Sequence, residues 1–211
     1  MFRKISVLLS VALVITISCL SLQSFISANP GGGMFIDKAQ AQKALVLLNK
    51  IRKDPNSYSE RLGFSLRGIS PRGELQWDDS LCAVAERRAL SMASRGWFGD
   101  VDPDGYGVNY YVNKAAYSLT DEQIKHKKES NFAAIEGGAP SGEIAINNII
   151  IDKDKLGDSG RKLLLGIGDV NAALVDVGIG YVHGTGSTKY RSYTCVIIAK
   201  RSKPLPTKAS Y

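Results

Sequence analysis

A run of alternating acidic side chains near the middle of the sequence has the residue types of a calcium loop. Asp100, Asp102, Asp104 and Gly105 match the first half of an EF-hand loop. Such a loop needs a bidentate carboxylate at its twelfth position, and this chain has Tyr111 there. We therefore expect this segment to form a tight Asp-Pro-Asp-Gly turn instead of a calcium loop.

The residue types that most catalytic sites need are scarce in this chain. It has no Gly-x-Ser-x-Gly, P-loop or His-Glu-x-x-His motif. It has only two histidines, His126 in a lysine-rich polar stretch and His183 beside a hairpin turn, and we expect both to be solvated surface residues. The sequence therefore offers few of the residues that a hydrolytic triad or a histidine-rich metal site requires.

The N-terminus has the layout of a secretory signal. Arg3 and Lys4 precede an apolar run over residues 5–22, and small residues follow, so we predict a signal peptide over residues 1–28. A permanent membrane anchor is the alternative, since the run approaches the length that spans a bilayer. Lipoprotein anchoring through Cys19 is a second alternative. In each case the domain faces a secreted or extracytoplasmic space.

Two cysteines remain once the signal is removed. Cys82 and Cys195 could form one disulfide, or each could be a small buried apolar residue. Their separation in the sequence does not decide between these alternatives.

Helical patterns dominate the first two thirds of the mature chain. After a flexible spacer over residues 29–36, Asp37 is placed to cap a helix that Pro55 ends. Asp78 is placed to cap a second helix that ends at Gly96, and Ser141 opens another.

The last third of the chain changes to the period of strands. Residues 175–182 and 190–199 are rich in β-branched and aromatic side chains, with a glycine-rich turn between them, and predict a hairpin. Further strands are expected near Ile135 and near residues 116–117, a polar helical segment over 121–128, and an irregular tail over 201–211. Helices first and paired strands late indicate an α+β fold.

In order along the chain, several motifs resemble the CAP superfamily, which includes cysteine-rich secretory proteins, antigen 5 and plant pathogenesis-related proteins of group 1. The resemblance covers about residues 40–200 and is closest to the bacterial SCP-like extracellular branch. It implies a CAP/SCP-like domain over residues 37–200, built as a three-layer α-β-α sandwich with a small mostly antiparallel sheet. The stretches that carry it are 47–52, 75–81, Phe98 to Gly105, 129–133, 141–145, 160–165 and 177–182.

The family's central groove has two histidines and one or two acidic residues, a set able to hold a divalent metal. This chain departs from that pattern at both histidines, because Asp100 stands in place of the first and Gly160 in place of the second, just before Arg161. The resemblance assigns the groove carboxylate to Glu129, with Glu143 as the alternative. The further groove candidates are Asp152 and Arg161.

A groove that keeps only Asp100 and Glu129 would favour a hard ion such as calcium or magnesium over zinc. We therefore expect no cofactor, with weak calcium or magnesium binding through these two carboxylates as the alternative. The groove also lacks a group that titrates near neutral pH without a large pKa shift.

The resemblance and the missing imidazoles together imply a secreted or envelope-exposed binding or interaction module that is not an enzyme, with a lipid or a protein as its ligand. A divalent-cation-dependent adhesin and a secreted hydrolase are the alternatives. The hydrolase requires an activated nucleophile or a metal-bound water, and the sequence supplies neither in a recognisable arrangement.

The positive charge of the chain is dispersed. With Arg3 and Lys4 removed, 25 basic residues face 20 acidic ones, and the net charge falls from +7 to +5. No basic stretch is interleaved with aromatic residues, so we expect no nucleic-acid partner. A mildly basic exported domain of this kind could make peripheral contact with an anionic envelope.

Overall fold

The computed structural model describes residues 33–115, 117–121, 132–152 and 157–202. All of them belong to one compact unit, Gly31–Tyr211. The predictions for the signal peptide, Cys19, His126, Glu129 and the segment after Asp121 lie outside the described residues.

The centre of the fold is a five-stranded sheet formed mainly by the C-terminal hairpin. Its strands are β1 (Phe35–Ile36), β2 (Gln76–Trp77), β3 (Ala133–Gly137), β4 (Asp176–His183) and β5 (Ser192–Ala199). The order is β1-β4-β5-β3 with antiparallel pairing, and β2 pairs parallel with β4. The predicted hairpin is confirmed, and its second strand is buried along its whole length.

Seven helices are described. Their bounds are α1 (Lys38–Lys53), α2 (Pro55–Leu62), α3 (Asp79–Arg95), α4 (Val108–Lys114), α5 (Gly142–Ile151), α6 (Ser159–Leu165) and α7 (Asp169–Ala172).

The predicted helix starts are confirmed by their caps. Asp37 Oδ1 accepts a hydrogen bond from Gln40 N at 3.1 Å at the start of α1, and Asp78 Oδ1 accepts one from Leu81 N at 3.0 Å at the start of α3. Ser141 Oγ accepts from the third residue of α5 in the same way. Among the described helices, none combines the length and the apolar character that crossing a bilayer requires.

The helices cover both faces of the sheet, because side chains alternate along each strand. Val196 and Ile198 of β5 belong to one apolar core with α1, α5 and α6, whereas Cys195 and Ile197 belong to a second core with α3 and α4. The α+β class is confirmed, and the layers follow the predicted α-β-α order.

The close packing of α3 on β4 depends on two glycines. A Cβ at Gly178 would lie 2.2 Å from the Leu81 carbonyl carbon, and one at Gly180 would lie 2.4 Å from that of Ala85. The backbones therefore touch where a side chain would separate them.

Cys82 and Cys195 are both free thiols, so the disulfide alternative is wrong and the buried-residue alternative is correct. Burial raises the pKa of each thiol to about 12. Cys82 lies on α3 and Cys195 faces the same helix from β5, where both serve as small core residues.

The expected strand near Ile135 is β3, but no strand forms at Tyr117. Tyr117 is instead fully buried, and its hydroxyl donates a hydrogen bond to Asp176 Oδ2 at 2.6 Å. Arg201, the first residue of the predicted tail, is also held in place, since its guanidinium pairs with Asp78 and lies 4.2 Å over the Tyr117 ring.

Candidate functional site

A cavity of about 140 Å³ opens where the loop after α3 meets β3, the end of α5 and the start of α6. It brings together residues that are distant in the sequence. Its lining is Phe98, Gly99, Asp100, Ala133, Ala134, Ile135, Glu136, Asn148, Ile149, Asp152, Gly157, Ser159 and Gly160. We call this cavity the groove.

Asp100 contributes an exposed carboxylate to the groove. Arg88 of α3 holds the backbone of this loop, because its Nη2 donates to the Asp100 carbonyl at 2.5 Å and to the Gly99 carbonyl at 3.4 Å. The loop that carries Asp100 is therefore fixed to α3 by a buried guanidinium.

Glu136 is a groove carboxylate that the sequence reasoning missed. It is 2% exposed, its Oε2 accepts from Ala139 N at 3.1 Å, and its Oε1 accepts from Asn148 Nδ2 at 2.9 Å. The available signal was a single acidic residue at the end of a short apolar run. Such a residue at a buried strand position needs hydrogen-bond partners, which marks it for attention.

Asp152 is placed in the groove by the end of α5. It is the C-cap residue of that helix and has a φ of 54°, a left-handed conformation that no other described non-glycine residue adopts. Because this conformation reverses the chain direction, the Asp152 side chain stays beside the helix end and lines the cavity.

A side chain at Gly160, where the family resemblance places the second histidine, would require a neighbour to move. A Cβ there would lie 2.9 Å from Ile149 Cγ2 and 3.4 Å from Ala134 Cβ. The packing of α6 on α5 and β3 therefore leaves little room at this position.

Two predicted groove residues lie elsewhere. Glu143 is exposed in the first turn of α5 and does not line the cavity. Arg161 donates from Nη1 to the Ile150 carbonyl at 3.1 Å, and its guanidinium lies 4.8 Å over the Phe64 ring. Arg161 therefore fastens α6 to the end of α5 and positions the groove instead of lining it.

Two aspartates of the acidic run after Phe98 lie in different environments, Asp102 in the interior and Asp104 at the surface. Asp102 is buried, its Oδ1 accepts from Asp104 N at 3.0 Å and from Tyr106 N at 2.9 Å, and its Oδ2 accepts from the Tyr111 hydroxyl at 2.5 Å. Asp104 pairs with Arg95 at 2.7 Å. The predicted turn is confirmed, because Gly105 N donates to the Asp102 carbonyl at 2.9 Å.

The described residues do not fit the divalent metal site that the family resemblance implies. Asp100 and Gly160 stand where the resemblance places the imidazoles, and no group of three or more histidine, cysteine, aspartate or glutamate side chains in the described part of the chain could hold a metal ion. The proposed ligand Glu129 lies outside that part. A calcium or magnesium ion on Asp100 and Glu129 stays a prediction.

His183 is not a freely solvated residue, and that expectation is wrong. Its Nε2 lies 3.0 Å from Asp37 Oδ2, and its ring stacks on Phe35 at 4.4 Å. The pair joins β4 to the cap of α1 and does not reach the groove.

Comparison with known proteins gives structural matches alone. No family model matches the sequence, and no curated protein matches it. An outer surface protein from Borrelia burgdorferi shares the fold with a TM-score of 0.52 at 15% identity, over 81% of this chain and 98% of that chain. An extracellular protein containing an SCP domain from Bacillus anthracis matches with a TM-score of 0.47 at 16% identity, over 78% of this chain and 41% of that chain.

At these identities the likeness concerns the fold. The chain shares the fold of the Borrelia outer surface protein. The CAP/SCP-like assignment stays a prediction from the sequence motifs.

Proposed function

We propose that this protein is an extracytoplasmic binding module, not an enzyme, and that its groove receives a basic side chain of a partner protein. The tight packing around Gly160 is the observation that supports this proposal, because a Cβ there would lie 2.9 Å from Ile149 Cγ2 and a second imidazole would fit poorly. The site would therefore work through its carboxylates.

The charge of the groove supports a cationic ligand. Asp100, Glu136 and Asp152 all line it, and its lining contains no lysine or arginine among the described residues. A lysine ammonium or an arginine guanidinium would donate hydrogen bonds to these oxygens. The volume of about 140 Å³ suits one side chain better than a lipid, since small-molecule sites span roughly 300–1,000 Å³.

The hydrolase alternative has weaker support. Ser159 supplies a hydroxyl to the groove, but the described lining contains neither a histidine base nor a thiol that could act with it. A metal-bound water would require ligands that the described residues do not provide.

The extracytoplasmic location rests on the predicted signal peptide, and the shared fold of a bacterial outer surface protein is consistent with it. We expect the exported protein to begin at Asn29. Intact-mass spectrometry of the protein from the extracytoplasmic fraction measures this start. An acylated N-terminus at Cys19, or an uncleaved chain in the membrane fraction, would contradict it.

The binding proposal is tested by titrating the protein with fluorescently labelled tri-lysine and tri-arginine peptides and with a tri-glutamate control. We expect Asp100→Asn and Asp152→Asn each to weaken binding of the basic peptides by about threefold to tenfold, because the amide oxygen still accepts a hydrogen bond but the negative charge is lost. Glu143→Gln is the matched control, because it removes the same charge from an exposed position outside the groove.

Equal weakening by Glu143→Gln and the groove variants would show that net charge alone attracts the peptides, and would reject the groove as the site. Turnover of a peptide or ester library that Asp100→Asn abolishes would reject the non-enzymatic proposal. Lipid co-purified with the protein and lost in Asp152→Asn would assign the groove to a lipid instead.

A further inference from the structure

A second cavity, of about 520 Å³, lies between α3 and α4 and is separate from the groove. We infer that it binds a ligand that carries a phosphate group. Its lining is Ala83, Val84, Arg87, Arg88, Ser91, Arg95, Asp102, Tyr111, Lys114 and Ala115. We call it the basic cavity.

Helical spacing collects the cations in this cavity. Arg87 and Arg88 are consecutive residues of α3, Arg95 lies about two turns further along the same helix, and Lys114 reaches the cavity from the last turn of α4. Among the described residues, three guanidinium groups and an ammonium therefore surround a space with one lining carboxylate, that of Asp102.

Two of these cations are already paired. Arg88 lies 3.5 Å from Asp102, with both side chains buried, and Arg95 makes two hydrogen bonds to the Asp104 carboxylate, at 2.7 and 3.1 Å. These pairs fix the walls of the cavity and cancel part of its charge.

The other two cations carry the positive excess. Arg87 makes no ion pair with a described residue. Lys114 has no described carboxylate partner, and its Nζ lies 4.3 Å from the centre of the Tyr110 ring. Both side chains are exposed at the rim of the cavity, where they can approach an anion from opposite helices.

Phosphate is the anion that this arrangement favours. The planar guanidinium of Arg87 matches two phosphate oxygens, and the Lys114 ammonium supplies a second point charge. The Tyr111 hydroxyl adds no competing negative charge, because a phenol is neutral near pH 7 and this one donates a hydrogen bond to Asp102.

The size of the cavity indicates that the phosphate belongs to a larger molecule. Its volume of about 520 Å³ falls within the range of roughly 300–1,000 Å³ for small-molecule sites. Ala83, Val84 and Ala115 form an apolar part of the wall, which can cover the organic portion of the ligand. Either a soluble phosphate ester or the headgroup of an anionic phospholipid has this chemistry.

The test is a titration of the full-length exported protein with three probes. These are glycerol 3-phosphate, vesicles of phosphatidylglycerol, and vesicles of phosphatidylcholine, whose headgroup carries no net charge. We expect binding of at least one of the first two and little binding of the third. Glycerol 3-phosphate binding identifies a soluble ester as a sufficient ligand, and binding to phosphatidylglycerol vesicles alone identifies the headgroup.

Variants locate the site. The double variant Arg87→Gln/Lys114→Gln should weaken binding at least tenfold, whereas Lys43→Gln/Lys50→Gln should change it less than twofold. The control removes two positive charges from exposed positions of α1, which packs on the opposite face of the sheet. Circular dichroism checks that the exposed substitutions leave the fold intact.

Equal losses in the two double variants, or no binding of glycerol 3-phosphate and phosphatidylglycerol by the unmodified protein, would overturn the inference. Asp100→Asn should leave phosphate binding unchanged, because Asp100 does not line the basic cavity. Failure of the groove proposal and failure of this one are therefore separate results.

Discussion

At the scale of single residues, Asp100 and Gly160 stand where the family resemblance places two imidazoles. They differ in what they contribute to the groove. Asp100 keeps a polar group that reaches the groove, whereas Gly160 removes the side chain and lets α6 pack against Ile149 and Ala134. The first change alters the chemistry of the groove, and the second alters its shape.

Restoring a histidine at position 160 should therefore destabilise the protein. We expect Gly160→His to lower the free energy of unfolding by about 1–3 kcal/mol, because a Cβ would lie 2.9 Å from Ile149 Cγ2 and force the neighbouring helices apart. Urea denaturation measures this loss. Gly73→Ala is the control for adding a Cβ, since nothing lies within 4 Å of its position.

Shortening the Ile149 side chain should reduce the steric clash that Gly160→His creates. The double variant Gly160→His/Ile149→Ala should lose less stability than the two single variants added together. A Gly160→His variant as stable as the unmodified protein would show that the position can hold a histidine. That result would remove the main support for the proposed function.

At the scale of elements, α3 does more than cover the sheet. Its inner side packs directly on the glycines of β4, and Arg88 on the same helix holds the loop that carries Asp100. Arg88 also lines the basic cavity and pairs with Asp102. One buried side chain therefore supports both the groove and the basic cavity.

Substitution of Arg88 should lower the free energy of unfolding far more than substitution of the adjacent Arg87. Arg88→Met leaves the buried Asp102 carboxylate without its ion-pair partner, and we expect a loss of about 3–5 kcal/mol in the free energy of unfolding. Arg87→Met, at an exposed position one residue away, should change it by less than about 0.5 kcal/mol. Chemical denaturation of both variants provides the comparison.

Removing the charge of Asp102 tests whether its unpaired carboxylate causes the loss of stability in Arg88→Met. Arg88→Met/Asp102→Asn should recover part of the lost stability, because the amide oxygen can still accept from Asp104 N and Tyr106 N. If the double variant is no more stable than Arg88→Met alone, the buried charge is not the cause of the loss.

At the scale of the whole molecule, two cores on opposite faces of one sheet give the domain its stability. No disulfide links the described cysteines, and both thiols are buried, Cys82 on α3 and Cys195 on β5. The domain therefore depends on packing, and its buried ionisable groups connect its stability to pH.

Alkaline pH should weaken the fold through these thiols. Burial raises the pKa of Cys82 and Cys195 to about 12, above the value of about 9 for an exposed thiol, so the folded state holds their protons more tightly than the unfolded state. Their contribution is fully present below about pH 9 and is lost as the pH rises towards 12, at about 1.4 kcal/mol per thiol and pH unit.

Urea denaturation between pH 8 and 11.5 measures this dependence, and Cys82→Ala/Cys195→Ala should make it shallower. In the native protein at pH 8, iodoacetamide should leave both thiols unmodified, whereas unfolding should expose them, as peptide mass spectrometry can establish. An equally steep alkaline loss in the double variant would assign the effect to other groups, such as the buried tyrosines.

Much of the fold was predictable because its signals are local. The caps Asp37, Asp78 and Ser141 act on backbone groups three residues away, and the strand period of the C-terminal hairpin is visible within each segment. The missing strand at Tyr117 was not predictable in this way. A β-rich composition does not show whether a tyrosine pairs in a sheet or buries its ring against Asp176.

The sequence by itself predicted the starts of α1, α3 and α5, the hairpin and the family resemblance, because each depends on residue type and near neighbours. Only the tertiary structure decided that Glu136 lines the groove, that Arg161 supports it from outside, and that α3 and α4 enclose a basic cavity. These facts depend on distances between segments far apart in the chain. Such distances are set by the packing of all the elements together, so they cannot be predicted from local sequence patterns.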